Sequence, residues 1–190
     1  MCVPLDKVEF FSYEHEIWYR LSDGSTHQLC ESDYGMISVI HQLIEEFYPS
    51  AFKALCHEYR ACLQNVLYSR FRIVARFIRC NFSALDNVPD MINGMFSTFE
   101  YVPCPLRGEC RYERVICHPE FNHKLSDAEK RVMALWYSGS SEDTIASHLC
   151  ISRHTVHNHV RNSYLKLGVH SRAEFVRIAD INGFFNVEQS

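Results

Sequence analysis

The chain has 190 residues, of which 47% are hydrophobic and 22% are charged, and its formal net charge at neutral pH is −4. These values suit one or two small globular domains and exclude a globally basic nucleic-acid binder, so that any DNA-binding surface must be local. The sequence has no apolar run of about 18 residues and no basic segment followed by an apolar run at its start, which predicts a cytoplasmic protein that does not enter a membrane.

The first hundred residues predict a small α+β module with the bounds 1–101. Val8–Ser12 is rich in apolar and aromatic residues and is typical of a strand. Ile17–Leu21 and Thr26–Cys30 flank the sequence Ser-Asp-Gly-Ser, whose Asp-Gly step favours a tight turn between paired strands. We therefore expect a β-hairpin before the first helix.

Three helices are expected after this hairpin. Apolar residues at helical spacing predict the first over Met36–Phe47, and Pro49, a residue type favoured in the first turn of a helix, opens the second. The third is long and amphipathic, and it is a candidate dimer interface. Its apolar stripe consists of Leu63, Val66, Leu67, Phe71, Val74, Phe77 and Ile78.

Nine cysteines in a chain without an export signal argue against a disulfide framework, because the cytosol keeps thiols reduced. Cys104, Cys110 and Cys117 stand in a Cys-rich connector, residues 102–123, which contains Pro and Gly and shows little helical or strand period. Metal ligation is one source of order for such a segment. Cys80 would be the fourth thiolate, and zinc or an iron–sulfur cluster would be the cofactor.

The spacing of these thiols leaves other interpretations open. The pattern C-x5-C-x6-C has no C-x2-C pair, which zinc sites usually show, and it is wider than the usual iron–sulfur motifs. His118 and His123 are alternative ligands. Without a metal, the thiols are either inert buried side chains or a redox switch.

Residues 124–190 carry the start and stop signals of four short helices. The expected N-caps are Ser126, with Glu129 completing a capping box, Ser141, Ser152 and Ser171. The expected stops are Gly139, the Cys150-Ile151 turn and Gly168. The apolar residues expected to face inward are Val132, Met133, Leu135, Trp136, Ile145, Ala146, Leu149, Phe175, Ile178 and Ala179.

The third of these helices, expected over residues 153–167, carries the strongest functional signal. Val156, Val160 and Leu167 recur at helical spacing, which predicts that they face a core. The opposite side is polar and has no carboxylate of its own; it consists of Arg153, His154, His157, Asn158 and Arg161. Arg displaces counterions from DNA phosphates, and Asn and Arg bond base edges in pairs. The helix is therefore predicted to enter the major groove of double-stranded DNA.

A series of residues at fixed offsets runs through this region. They are Leu125, Ser126, Glu129, Val132, Leu135, Gly139, Ser141, Ile145, Ala146, Leu149, Ile151, Ser152, Thr155, Val156, His159, Lys166, Leu167, Val169 and Arg172. In these residues the segment 125–176 resembles the LuxR-type helix-turn-helix domain of bacterial transcription regulators, a resemblance that covers about a quarter of the chain. The departures, at Ala128, Arg131 and Thr144, lie in the first two helices and concern local ion pairs rather than entry into the groove.

The resemblance implies a four-helix domain whose residues divide between bases and backbone. His157, Asn158 and Arg161 would face the bases, whereas the backbone contacts, which fix register, would be made by Ser152, Thr155, His159 and Lys166. A packed, hydrogen-bonded histidine is an equal alternative for His159. The full set of expected DNA-binding residues is Ser152, Arg153, His154, Thr155, His157, Asn158, His159, Arg161, Lys166 and Arg172.

The N-terminal module does not have the pattern of the usual input domains of this family. Its strands precede its helices, whereas a phosphoacceptor receiver alternates them, and about a hundred residues are too few for the larger domain that binds acyl-homoserine lactones. The stretch from Cys80 to Pro119 resembles uncharacterised regulators of anaerobic bacteria, which implies no ligand assignment. The effector is left open.

Together these features predict a mainly α-helical protein with an N-terminal α+β module, a Cys-rich connector and a C-terminal helix-turn-helix. We expect a sequence-specific transcription regulator that binds DNA as a homodimer, because one helix reads too few base pairs to select a single genomic site. It is not expected to be an enzyme, although a Cys/His nucleophilic pair is a minor alternative. The other alternative is a metal- or redox-responsive adaptor whose helix-turn-helix end binds protein.

Overall fold

The structure, a computed structural model, describes residues 5–86, 88–97 and 99–185. The chain divides into two compact units with the boundary between Asn122 and His123, here called the N-terminal unit and the C-terminal unit. Residues 102–122 thus fall in the N-terminal unit. None of the helices in the described part of the chain has both the length and the apolar composition that a membrane span requires.

The N-terminal unit contains a small antiparallel sheet with the strand order β3-β2-β1-β4-β5. Its strands are β1 (Lys7–Tyr13), β2 (Glu16–Leu21), β3 (Thr26–Gln28), β4 (Met91–Ile92) and β5 (Met95–Phe96). The predicted hairpin is confirmed as β2 and β3, although β3 ends two residues before Cys30. Successive side chains of a strand point to opposite faces of the sheet. In β1 and β2, the residues on the buried face include Val8, Phe10, Ile17 and Tyr19.

Two further hairpins in this sheet were not predicted. Glu14 and His15 connect β1 to β2 with φ angles of 50° and 67°, and Asn93 and Gly94 connect β4 to β5 with φ angles of 52° and 74°. Such a pair of left-handed residues matches the twist of the strands it joins. Asn-Gly is the most favoured sequence for this turn, whereas Glu-His gives no such signal.

Three α-helices follow β3, as predicted: α1 (Tyr34–Phe47), α2 (Pro49–Glu58) and α3 (Val66–Asn81). Packing around α3 forms the core of this unit, because α3 contacts both other helices and strands β1 and β2. Ile73, Val74, Phe77 and Ile78 are almost fully buried there. Three residues expected in the apolar stripe are instead exposed: Leu63, which lies before the helix, and Val66 and Leu67 at its start.

The C-terminal unit consists of four helices: α4 (Asp127–Tyr137), α5 (Glu142–Leu149), α6 (Arg153–Leu167) and α7 (Arg172–Ile181). All four predicted serine N-caps are confirmed, and Ser126 and Glu129 form the complete capping box. Gly168 ends α6 with φ at +65°, a conformation that costs glycine little. The core of the unit includes Val132, Met133, Ile145, Val156, Leu167, Phe175 and Ile178.

Candidate functional site

Helices α5 and α6 are joined by a short turn that sets the direction of α6. Cys150 ends α5 in the left-handed region with φ at 54° and ψ at 42°. Two residues later, the Ser152 hydroxyl caps α6 by accepting a hydrogen bond from the backbone N–H of Thr155 at 3.0 Å. Val156, Val160 and Leu167 then face the core, as predicted, so that the opposite side of α6 is turned to solvent.

The side chains predicted on the polar face of α6 are exposed. They are Arg153, His154, His157, Asn158 and Arg161. Asn158 and His154 lie one turn apart, and the Asn158 amide nitrogen is 3.1 Å from Nε2 of His154. Within the described residues, no hydrogen bond or ion pair is seen at the Arg161 guanidinium. Arg161 and Asn158 are thus presented to solvent with donors that match base edges.

Glu142, the first residue of α5, lies against this face and adds a carboxylate that inspection of α6 alone did not predict. Its Oε2 accepts from Nε of Arg153 at 3.1 Å, and its Oε1 is 3.0 Å from Nδ1 of His157. Hydrogen bonds from His157 and Arg153 lower the pKa of Glu142. Part of the positive charge of the face is therefore balanced within the unit.

The predicted backbone contacts near the start of α6 form a local hydroxyl pair. The hydroxyl oxygens of Ser152 and Thr155 are 2.8 Å apart, and Ser152 is exposed while Thr155 is partly exposed. Hydroxyls at a helix N-terminus suit phosphate oxygens, because the adjacent backbone N–H groups also attract negative charge. His159 is only partly exposed and is flanked by the buried Val156 and Val160.

Lys166, predicted to contact the DNA backbone, has an intramolecular partner. Its Nζ donates to Oε2 of Glu129 at 2.6 Å, and the Lys166 side chain is 39% exposed while that of Glu129 is 6% exposed. Burial favours the neutral form of Glu129, but the hydrogen bonds from Lys166 and Ser126 outweigh it and lower the pKa of this carboxyl. Lys166 thus ties the end of α6 to the start of α4.

Arg172 also has contacts within the C-terminal unit. Its guanidinium donates to the carbonyl oxygens of Trp136 and Ser140, the second at 3.2 Å, and it lies 4.2 Å from the centre of the Trp136 ring. These acceptors are at the end of α4, where carbonyl groups lack helical partners. Arg172 therefore closes the end of α4 from the first turn of α7.

The four cysteines proposed as ligands come together at one place in the N-terminal unit. Burial raises the pKa of the Cys80 thiol to about 11; Arg76 opposes this rise, and Cys117, Cys104 and Cys110 add to it. Cys80, Cys104 and Cys117 line one cleft, and Cys110 is hydrogen-bonded through its backbone to Leu106, which lines the same cleft. A thiol with this pKa is protonated at neutral pH and is a poor nucleophile.

Within residues 5–86, 88–97 and 99–185, no group of three or more His, Cys, Asp or Glu side chains has the arrangement that holds a single metal ion. His118 lies next to Cys117, but its backbone N–H is bonded to Asn81 and its ring lies 6.4 Å from that of Phe99. The sequence prediction of a metal centre at these cysteines stays a prediction.

The packing of α4, α5 and α6, with a tight turn before an exposed polar helix, defines a helix-turn-helix domain. Residues 123–179 match the family model GerE, described as bacterial regulatory proteins of the luxR family. This segment is a LuxR-family helix-turn-helix domain, which confirms the resemblance seen in the sequence.

Curated relatives match the same part of the chain. The HTH-type transcriptional regulators MalT of Serratia proteamaculans and of Yersinia pestis are each 38% identical to it over 72 residues, which is 35% of this chain and 8% of theirs. The chain thus spans less than a tenth of the length of these relatives. No solved structure is significantly similar to it.

Proposed function

We propose that this protein is a transcription regulator that inserts α6 into the major groove of double-stranded DNA and reads sequence there. The observation that carries the proposal is the exposed face of α6, on which Arg and Asn donors are held by a packed helix-turn-helix scaffold. The LuxR-family match over residues 123–179 and the MalT relatives support a role in transcription.

Different residues of the C-terminal unit are assigned to different parts of the DNA. His157, Asn158 and Arg161 would read base edges, because they point away from the core near the middle of α6. The hydroxyls of Ser152 and Thr155 and the side chains of Arg153 and His154 would contact phosphates close to the N-terminus of α6.

The other predicted contacts have competing roles inside the unit. Lys166 retains an exposed fraction and can reach a phosphate while it is bonded to Glu129. Arg172 already has two carbonyl acceptors and a ring, so that its first role is to stabilise the unit. A phosphate contact by either residue is measured by the salt dependence of binding.

The test is selection of a binding site from random double-stranded DNA by the full chain, followed by measurement of single variants on that site. Asn158→Ala and Arg161→Ala are each expected to lose roughly 1 to 3 kcal/mol of discrimination at one base pair, about 5- to 150-fold in relative affinity. Arg131→Ala removes an exposed Arg from α4 and serves as the charge-matched control for Arg161→Ala.

Two results would overturn the proposal. One is that no site is enriched although the chain is folded. The other is that Asn158→Ala and Arg161→Ala bind every base variant of the selected site as the parent chain does. In either case the helix-turn-helix end would be better explained as a protein-binding surface.

A further inference from the structure

A cleft with a volume of ≈530 Å³ opens at the end of α3, within the N-terminal unit. Three of the four clustered thiols line it: Cys80, Cys104 and Cys117. Arg76, Arg79 and Arg107 also line it, and no carboxylate is among the described residues around it. Neither the DNA-binding proposal nor the packing of the core gives this cleft a role.

Asn81, the residue after Cys80, fixes the position of Cys117. Asn81 is fully buried, and its Nδ2 donates to the carbonyl oxygen of Ile116 at 2.8 Å. Its Oδ1 accepts from the backbone N–H of His118, also at 2.8 Å. Because these two backbone groups flank Cys117, the Asn81 side chain anchors the backbone around Cys117 next to the end of α3.

Tight turns in the Cys-rich segment bring the remaining thiols to the same place. The backbone N–H of Arg107 donates to the carbonyl oxygen of Cys104 at 3.1 Å, and that of Cys110 donates to Leu106 at 2.8 Å. The loop therefore folds back within a few residues. Leu106 lines the cleft, and its hydrogen bond with Cys110 places the fourth thiol within one turn of that lining.

This segment has little apolar packing to hold it in place. In residues 101–118 only Val102 and Ile116 are buried. Two buried side chains and a few turns offer little to offset the conformational entropy that the segment loses when it is ordered. Arg114 also adopts a left-handed φ of 60°. A bound centre that links the segment to α3 would provide the missing stabilisation.

We propose that Cys80, Cys104, Cys110 and Cys117 bind an iron–sulfur cluster in this cleft. A single tetrahedral zinc ion, with Zn–S bonds of about 2.3 Å, needs its four sulfurs roughly 3.8 Å apart around one point. Three of the thiols line a cleft of ≈530 Å³, which is much larger than the space that one zinc ion fills. A cluster suits this wider arrangement, because it has several irons and its thiolates bind different ones.

The charges around the cleft agree with an anionic occupant. Four thiolates around a cluster carry net negative charge, and binding releases the thiol protons to solvent. Arg76, Arg79 and Arg107 provide positive charge at the same cleft. The Arg79 guanidinium also donates to the carbonyl oxygen of His15 at 2.8 Å, which holds its side chain beside the opening.

The experiment is anaerobic purification of the full chain, or its reconstitution with ferric iron, a thiol reductant and sulfide, followed by iron and acid-labile sulfide analysis and a visible absorption spectrum. About two or four irons per chain, matched by sulfide, are expected. Cys104→Ser, Cys110→Ser and Cys117→Ser should each lose most of the iron. Cys30→Ser and Cys150→Ser, at exposed positions outside the cleft, should retain it.

A second measurement uses the parent chain, so its result does not depend on whether the Cys→Ser variants fold. Anaerobic alkylation of the loaded parent chain, read by mass spectrometry, should leave Cys104, Cys110 and Cys117 unmodified while Cys30 and Cys150 react. After removal of iron by a chelator, Cys104, Cys110 and Cys117 should react as well. Zinc without sulfide, iron that persists in the Cys→Ser variants, or equal labelling of Cys104, Cys110 and Cys117 with and without iron would each overturn the proposal.

Discussion

Lys166, near the end of α6, donates to the largely buried carboxylate of Glu129, which also accepts from the backbone N–H of Ser126 at the start of α4. One carboxylate thus completes the capping box of α4 and holds the proposed recognition helix. The link concerns the stability of the scaffold, separately from any contact that Lys166 makes with DNA.

Lys166→Met is expected to lower the free energy of unfolding of the C-terminal unit by about 1.5 to 3 kcal/mol, because it removes a hydrogen bond between charged groups and leaves Glu129 buried without its cation. Urea denaturation followed by Trp136 fluorescence, in a Trp18→Phe background, measures this loss. Trp136 suits the purpose because its Nε1 donates to Tyr164 of α6 at 3.0 Å.

Lys130→Met is the matched control for this change. Lys130 lies 3.9 Å from Asp127, whose side chain is 99% exposed, so that its loss should cost less than about 0.5 kcal/mol. Equal midpoints for the Lys166→Met variant and the parent chain would show that the ion pair does not stabilise the unit.

Local signals explain why the C-terminal unit was predicted well. Each N-cap depends on one serine and on the backbone three residues later, so Ser141 and Ser152 could be recognised from sequence alone. The position of Glu142 against Arg153 and His157 depends on how α5 crosses α6. The sequence of either helix alone does not predict this contact between Glu142 and α6.

In the N-terminal unit, even more of the structure depends on contacts that local sequence does not predict. The β4–β5 hairpin has a readable Asn93-Gly94 signal, but strands of two residues have no alternation to detect. The thiols could be grouped from sequence as candidate ligands. Their placement around a cleft depends on the buried Asn81, which is distant in sequence from the two backbone groups it bonds.

Glu142→Gln is expected to strengthen binding to random DNA roughly two- to fivefold, about 0.5 to 1 kcal/mol. The change frees Arg153 and His157 from a carboxylate and removes a negative charge near the phosphates. The preference for the selected site over random DNA should fall, since non-specific contacts gain more than base contacts.

Fluorescence anisotropy over a series of salt concentrations tests this expectation. Glu120→Gln makes the same change in net charge at an exposed position in the N-terminal unit and serves as the control. If both variants bind random DNA equally, the effect belongs to net charge and Glu142 has no particular role at the α6 face.

Asp90 predicts a pH dependence of the N-terminal unit. Burial raises the pKa of its carboxyl to about 8; the hydrogen bond from the backbone N–H of Phe10 opposes this rise, and Glu100 and Glu9 add to it. The pKa of Asp90 is higher in the folded than in the unfolded chain. The contribution of its protonated carboxyl to the stability of the N-terminal unit is therefore fully present below about pH 4 and is lost as the pH rises through about 8.

Asp90→Asn should remove this pH dependence, because an amide can still accept from Phe10 and never becomes charged. At pH 9 the variant should be more stable than the parent by at least about 1.4 kcal/mol, the value of one pKa unit. Unfolding followed by Trp18 fluorescence in a Trp136→Phe background measures the difference. Asp6→Asn, at an exposed carboxyl, should leave the parent's pH profile unchanged.

Pairing of two copies on DNA, if it uses α7, must use the side of that helix turned away from its own core. Phe175 and Ile178 are 0% and 3% exposed and belong to the interior, as predicted. The outward side has a shallow surface that includes Ala173, Val176 and Ile181. Arg177 and Asp180 at the same surface offer opposite charges to a second copy.

Val176→Glu is therefore expected to weaken binding to a two-half-site operator by roughly tenfold or more while affinity for one half-site stays unchanged, because two linked copies bind with a higher effective concentration. Sedimentation velocity at saturating operator should show two copies of the parent chain and mainly one of the variant. Val39→Glu makes the same change at an exposed position on α1 and should keep two copies. A single copy of the parent chain on the full operator would exclude pairing altogether, and two copies of Val176→Glu with unchanged affinity would exclude this face of α7.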